Sequence, residues 1–180
     1  QDFVKKAIEV KPIALLAEGT RITDLESDES EKKVYNDCNG HVGKSDKLAI
    51  ADFNFKDMDR LRTFYNVAKE NGRKLVININ DTIFLEKLSQ DPQLNVPKPD
   101  DEDILIYKPK KTVWKPFERQ YLENTNALTA EELVLQQDKL LCAFSFWDFG
   151  AIIDMKPKTG GLYLHSSSEP FNEEGQLSYK

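Results

Sequence analysis

The residue types that most often do chemistry are scarce in this chain. Among 180 residues there are two histidines, His41 and His165, and two cysteines, Cys38 and Cys142. Neither histidine has a partner at metal-ligand spacing, so the residues offer no Cys/His zinc set and no disulfide framework. His41 lies in a polar loop and reads as a surface residue. His165 closes an apolar run beside Ser166, Ser167 and Ser168. A Ser/His hydrolytic pair is one reading; a loop-anchoring histidine is favoured, because triads are assembled in space and not by sequence adjacency. The glycines are scattered, and Gly160-Gly161 has neither the Lys-Ser/Thr of a P-loop nor dinucleotide-fingerprint spacing.

Two other groupings carry charge. Asn54, Lys56 and Arg60 open the clearest helical stretch, directly after an apolar run. A helix amino terminus with an arginine one turn in suits an anion; the same residues read equally well as an N-cap with exposed charges. Residues 107–121 interleave Lys108, Lys110, Lys111, Lys115 and Arg119 with Trp114, Phe117 and Tyr121. That mixture suits single-stranded nucleic acid, although core aromatics with solvated lysines are the favoured reading. The acids Asp24, Glu26, Asp28, Glu29, Glu31 and Asp37 read as a solvated face in preference to a cation site.

The elements that position these groups follow from periodicity. Residues 2–9 have the apolar spacing of a helix face, and residues 13–17 form an apolar run ended by Glu18-Gly19 that reads as a strand buried on both faces. A helix is expected around 29–38, strands at 47–53 and 73–79, and between them a helix capped by Asn54 and closed by Asn71-Gly72. Further expectations are a helix at 81–88, a loop at 90–103, a strand at 103–107, and a helix from Thr129 to Asp138. A strand at 140–146, a short helix at 147–154 and a last strand at 162–165 complete the chain. Strand, helix and strand over roughly 30 residues make a βαβ unit, so the fold class is α/β: three layers, α/β/α, around a mainly parallel sheet.

Composition narrows the class further. A hydrophobic fraction of 39% excludes global disorder, and a net charge of −6 excludes a wholly basic nucleic-acid coat while permitting a local basic patch. No apolar run approaches the ~20 residues of a membrane span, and no signal-like segment is seen, so no membrane partner is expected. Cys38 and Cys142 read as reduced thiols, which points to the cytoplasm.

Three stretches resemble one family. Residues 12–21 (PIALLAEGTR) resemble the strand–acid–(Ser/Gly)-Thr motif that ends the first part of the metallo-β-lactamase core in β-CASP nucleases. Residues 52–77 (DFNFKDMDRLRTFYNVAKENGRKLVI) look like the opening βαβ of the β-CASP domain. Residues 162–174 (LYLHSSSEPFNEE) resemble the segment by which ribonuclease J-like proteins of archaeal type rejoin the lactamase core. The resemblance implies a Rossmann-like β-CASP domain over residues 25–180, with residues 1–24 ending the lactamase core segment.

It further implies an RNA-processing metallo-hydrolase in which zinc activates water for attack on a phosphodiester. The family's His-x-His-x-Asp-His zinc motif is absent here, so zinc is expected in the parent protein, none in this chain, and the chain alone is expected to be inactive. Glu18 matches the family's acidic position and is the implied catalytic-site residue. Arg60 is the firmest phosphate contact, with Lys56, Asn54, Arg21, Ser166, Ser167 and Ser168 as further RNA-cleft residues. The implied partners are single-stranded RNA and the remainder of the lactamase domain, with room for a homodimer. The alternative is a free-standing doubly wound module that binds a nucleotide or a protein.

Overall fold

A computed structural model describes residues 2–14 and 30–166. Two helices come first, α1 (Asp2–Val10) and α2 (Glu31–Lys44). The sheet region follows as β1 (Ala49–Asp52), α3 (Met58–Glu70), β2 (Lys74–Asn78), α4 (Ile79–Leu88), β3 (Ile104–Lys108), α5 (Pro116–Leu122) and β4 (Ala127–Thr129). It ends with α6 (Ala130–Val134), β5 (Leu140–Ala143), α7 (Phe149–Met155) and β6 (Leu162–His165). The six strands form one sheet in the order β4-β3-β2-β5-β1-β6, and every neighbouring pair is parallel.

A parallel sheet needs cover on both faces, and alternate side chains of each strand supply two cores. Ala49, Ala51, Leu75, Ile77, Ile104, Leu141 and Ala143 face α2 and α3, packing with Val42, Leu61, Phe64 and Val67. Ile50, Val76, Leu105, Leu140, Cys142 and Phe144 face the other way, against Ala130 and Leu133 of α6 and Ala151 and Met155 of α7. Strands β1 and β5 are buried along their length, whereas the edge strand β6 alternates between half-buried and exposed. The three-layer expectation holds, with a sheet that is parallel throughout.

Helix α3 shows how local sequence sets the frame. Leu61, Phe64, Val67 and Ala68 recur on its buried face. Its end is a Schellman closure: Arg73 N–H bonds Ala68 O at 2.8 Å, Gly72 N–H bonds Lys69 O at 3.1 Å, and Gly72 has φ +63°, where a glycine is favoured. The start differs from expectation. Asp57, not Asn54, is the N-cap, accepting from the amides of Asp59 and Arg60 at 3.1 Å. Asn54 instead accepts from Lys56 N–H at 3.1 Å, in a turn closed by Asp57 N–H to Asn54 O. The turn exists because Phe55 must reach the core, where it stacks on Phe53 and meets the edge of Phe84.

Other expectations move as well. Ile13 and Ala14, the described part of the expected strand at 13–17, lie outside any strand and are exposed; the rest falls outside the described residues. His41 is exposed as expected, on α2 and not in a loop. The helix expected to run from Thr129 to Asp138 stops at Val134, and a capping box opens it: Glu132 reaches back to Thr129 N–H at 2.7 Å. No helix among the described residues is long and apolar enough to cross a membrane.

At the amino edge of the sheet, Arg73 is buried, with 3% exposure. Its guanidinium donates to the carbonyls of Lys47 and Leu140 at 2.8 Å and of Ser45 at 2.5 Å. These bonds tie together the starts of β1, β2 and β5. Replacing the guanidinium with an apolar side chain strands buried carbonyls, each costing about 1–3 kcal/mol. Arg73→Met is therefore expected to lower stability by about 3 kcal/mol, or roughly 6–12 °C in thermal midpoint. An unchanged midpoint by circular dichroism would show that this tie contributes nothing.

Candidate functional site

In parallel α/β sheets, ligands sit beyond the carboxyl ends of the strands, where adjacent strands send their connections in opposite directions. Here β2 connects onward to its neighbour β3, whereas β5 connects the other way, past β1 to β6. The reversal lies between β2 and β5. The carboxyl edge therefore divides into the switch point at β2/β5, the crevice position of such sheets, and a separate corner at β1/β6.

At the corner, Asp52 ends β1 and is 7% exposed. Its Oδ2 accepts from the Tyr163 hydroxyl at 2.6 Å and lies 3.1 Å from His165 Nδ1. Burial, together with the bond to the carboxylate, pushes the Tyr163 phenol well above its ordinary value. His165 is thus anchored through its ring to the neighbouring strand, the anchoring role read for it in the sequence.

Arg60 comes to the same corner from the first turns of α3. Its Nη2 bonds Glu31 Oε1 at 2.8 Å, and its Nε lies 3.1 and 3.3 Å from the two Glu31 oxygens. Its Nη1 donates to Ser166 O at 3.2 Å and to Ser166 Oγ. Thr63 Oγ1 donates to Glu31 at 3.0 Å. Asn54 and Lys56 are exposed on the β1–α3 turn. Of the expected cleft residues, then, Arg60 and Ser166 touch, and Asn54 and Lys56 lie on the turn that leads into Arg60's helix. Glu18, Arg21, Ser167 and Ser168 lie outside the described residues. Glu31 was not singled out: in sequence it is one acid in a run, and nothing in its spacing pairs it with Arg60.

The crevice holds a second polar group. Asn78 caps α4 by accepting from Asp81 N–H at 2.9 Å, and its Nδ2 donates to Asp148 Oδ1 at 3.4 Å. Asp148 Oδ2 accepts from the amide and hydroxyl of Ser145 at 2.9 and 2.8 Å, a capping box after β5. The Asp81 carboxyl is pushed up to about 7, chiefly by burial and then by the Asp148 carboxylate, against the opposing bond from Asn78. A carboxyl in that range can give or take a proton near neutrality. Ser145 and Asp148 were missed in the sequence, where Ser-x-x-Asp after a buried run is a capping signature that could have flagged them.

The basic, aromatic stretch divides. Tyr121 is buried and Trp114 packs beside Ile79 and Ile106, as the core reading holds; Phe117 is 45% exposed, which it does not. Lys111 Nζ sits 4.6 Å from the Trp114 ring centre and pairs with Glu118 at 2.6 Å. Among the described residues no group of three or more His, Cys, Asp or Glu is placed to hold a metal ion. Compared with protein-family models, curated proteins and solved structures, the chain matches none.

An aspartate that titrates near 7 when folded and near 3.8 when unfolded binds its proton more tightly in the native state. Its stabilising effect is whole below about pH 3.8 and is lost as pH rises through about 7. Asp81→Asn removes that loss. The variant is expected to be more stable than the parent at pH 8, by on the order of 1–2 kcal/mol, with the gap closing toward pH 4. Urea unfolding at both pH values checks this; parallel curves would show that Asp81 titrates normally.

Proposed function

We propose that this chain is the β-CASP portion of a zinc-dependent, RNA-processing metallo-hydrolase of the ribonuclease J type, and that its own task is to hold single-stranded RNA. The observation that supports this most is the meeting of two stretches on which the resemblance rests. The β1–β6 pairing sets the start of residues 52–77 beside the start of residues 162–174, and Arg60 bonds Ser166 across that join. The described residues do not fit a zinc centre, so no hydrolytic step is assigned to them; the metal belongs to the remainder of the lactamase domain. The buried, free thiols of Cys38 and Cys142 accord with a cytoplasmic protein.

On this reading a phosphate binds Arg60 by exchange. The guanidinium fork that would grip it already grips Glu31, so RNA must displace one anion with another. Lys56 and Asn54, exposed nearby on the turn, add a cation and an amide. A second reading, a free-standing nucleotide- or protein-binding module, is favoured by the β2/β5 crevice itself, the usual ligand position in doubly wound sheets.

Two variants test the RNA reading. Arg60→Ala is expected to weaken binding of a single-stranded oligoribonucleotide about tenfold and to lower the salt-dependence slope by about 0.7, one phosphate contact on a single strand. Glu31→Gln is expected to act in the opposite direction, tightening binding by releasing the guanidinium. Fluorescence anisotropy across a salt series reads both; affinity and slope indifferent to Arg60 would remove it from the site.

A further inference from the structure

Directly after β5, residues Phe146–Asp148 form a single 3-10 turn that runs into α7. Its aromatic side chains face solvent: Trp147 is 88% exposed, Phe149 47% and Phe146 37%. Such exposure on a disordered tip would mean little, but this turn is fixed at both ends. Ser145 Oγ accepts from Trp147 N–H at 3.3 Å, and Asp148 returns to the amide and hydroxyl of Ser145. Phe146 meets Trp147 edge-on, at 5.5 Å and 84°, and Phe149 at 5.3 Å and 70°. The phenylalanine supports the indole from the side, so the arrangement is ordered before any ligand arrives.

The turn stands at the β2/β5 reversal, and its Asp148 is the residue bonded to Asn78. Resting on the RNA-binding reading, we propose that Trp147 is a stacking platform for one base of single-stranded RNA, whose amino-bearing edge is received by Asp148, Asp81 and the Asn78 amide in the crevice. The chemistry selects a base over the other candidates. Paired carboxylates repel a phosphate, which belongs at Arg60, about two strand spacings away, or ~10 Å. An apolar protein partner suits a patch whose centre is poor in charge, and this one runs straight into acids. A nucleobase presents what the site presents in reverse: a π face for the indole and N–H donors for the carboxylates.

The test uses the intact chain, with Trp114→Phe in the background so that all indole fluorescence comes from Trp147. Oligocytidylate, oligouridylate and an abasic sugar–phosphate strand of equal length are titrated, and affinity is followed in parallel by anisotropy. Saturable quenching by oligocytidylate, weaker quenching by oligouridylate and none by the abasic strand are expected. Trp147→Ala should cost about 5- to 100-fold in affinity for oligocytidylate, and Trp147→Tyr should restore most of it. The exposed position keeps both variants folded, which their thermal midpoints verify.

If RNA binds and Arg60→Ala weakens it while Trp147 is neither quenched nor needed, the platform is overturned and the RNA reading stands. An equal loss of affinity for the abasic strand overturns base stacking. Conversion of a dimer to a monomer by Trp147→Ala, with RNA affinity unchanged, overturns it in favour of self-association. Absence of any RNA binding by the parent chain overturns both readings together.

Discussion

The crossover connecting two parallel strands is right-handed in nearly all proteins, and the rest of this molecule depends on that constraint. Connections running from β1 toward β4 place their helices on one face, and those returning from β4 to β6 place theirs on the other. The division of the core agrees: α3 and, through Leu85, α4 pack on one set of strand side chains, α6 and α7 on the alternate set. Every strand must then end on the same edge, and the polar residues at or just past those ends, Asp52, Asn78, Ser145 and His165, are gathered there. The edge divides into a crevice and a corner because the winding changes direction once.

The two halves of that edge differ in electrostatic character. The corner is a closed circuit in which Arg60, Glu31, Thr63 and Ser166 satisfy one another. In the crevice Asp148 and Asp81 stand close enough to raise the Asp81 carboxyl. Elsewhere cations are often committed as well: Lys69 pairs with Asp103, Lys110 with Glu131 and Lys111 with Glu118. Exposed pairs of this kind add little to stability, but they raise the selectivity of any anion site, because an incoming anion has to compete.

Most of the fold was legible because its causes are local. Buried strands announce themselves as unbroken apolar runs, so β1, β2, β5 and β6 fall within the stretches read for them, and β3 runs past its stretch by Lys108 alone. The close of α3 was legible because Asn71-Gly72 is a local stop signal with a backbone cause. The start of α3 was misread because Asn54 and Asp57 have the same capping chemistry, and burial of Phe55, a tertiary fact, chooses between them. The site was legible in its parts and not in its pairings. Asp52 with His165 and Asn78 with Asp148 are joined across strands whose order, β2-β5-β1-β6, no local pattern carries, and Arg60 with Glu31 across two helices packed on that sheet.

That strand order also bears on how the chain reaches its native state. Strands β2, β3 and β4 pair with sequence neighbours and can assemble as they are made. Strand β1, the earliest of the described strands, pairs with the last two of them: Ala49 lies opposite Leu141 on one side and Leu162 on the other. An apolar segment made early has no partner among the described strands until β5 and β6 have followed it, and contacts so distant in sequence slow folding. During synthesis the strand that carries Asp52 waits longest, and the β1/β6 corner is among the last parts of the sheet to take shape.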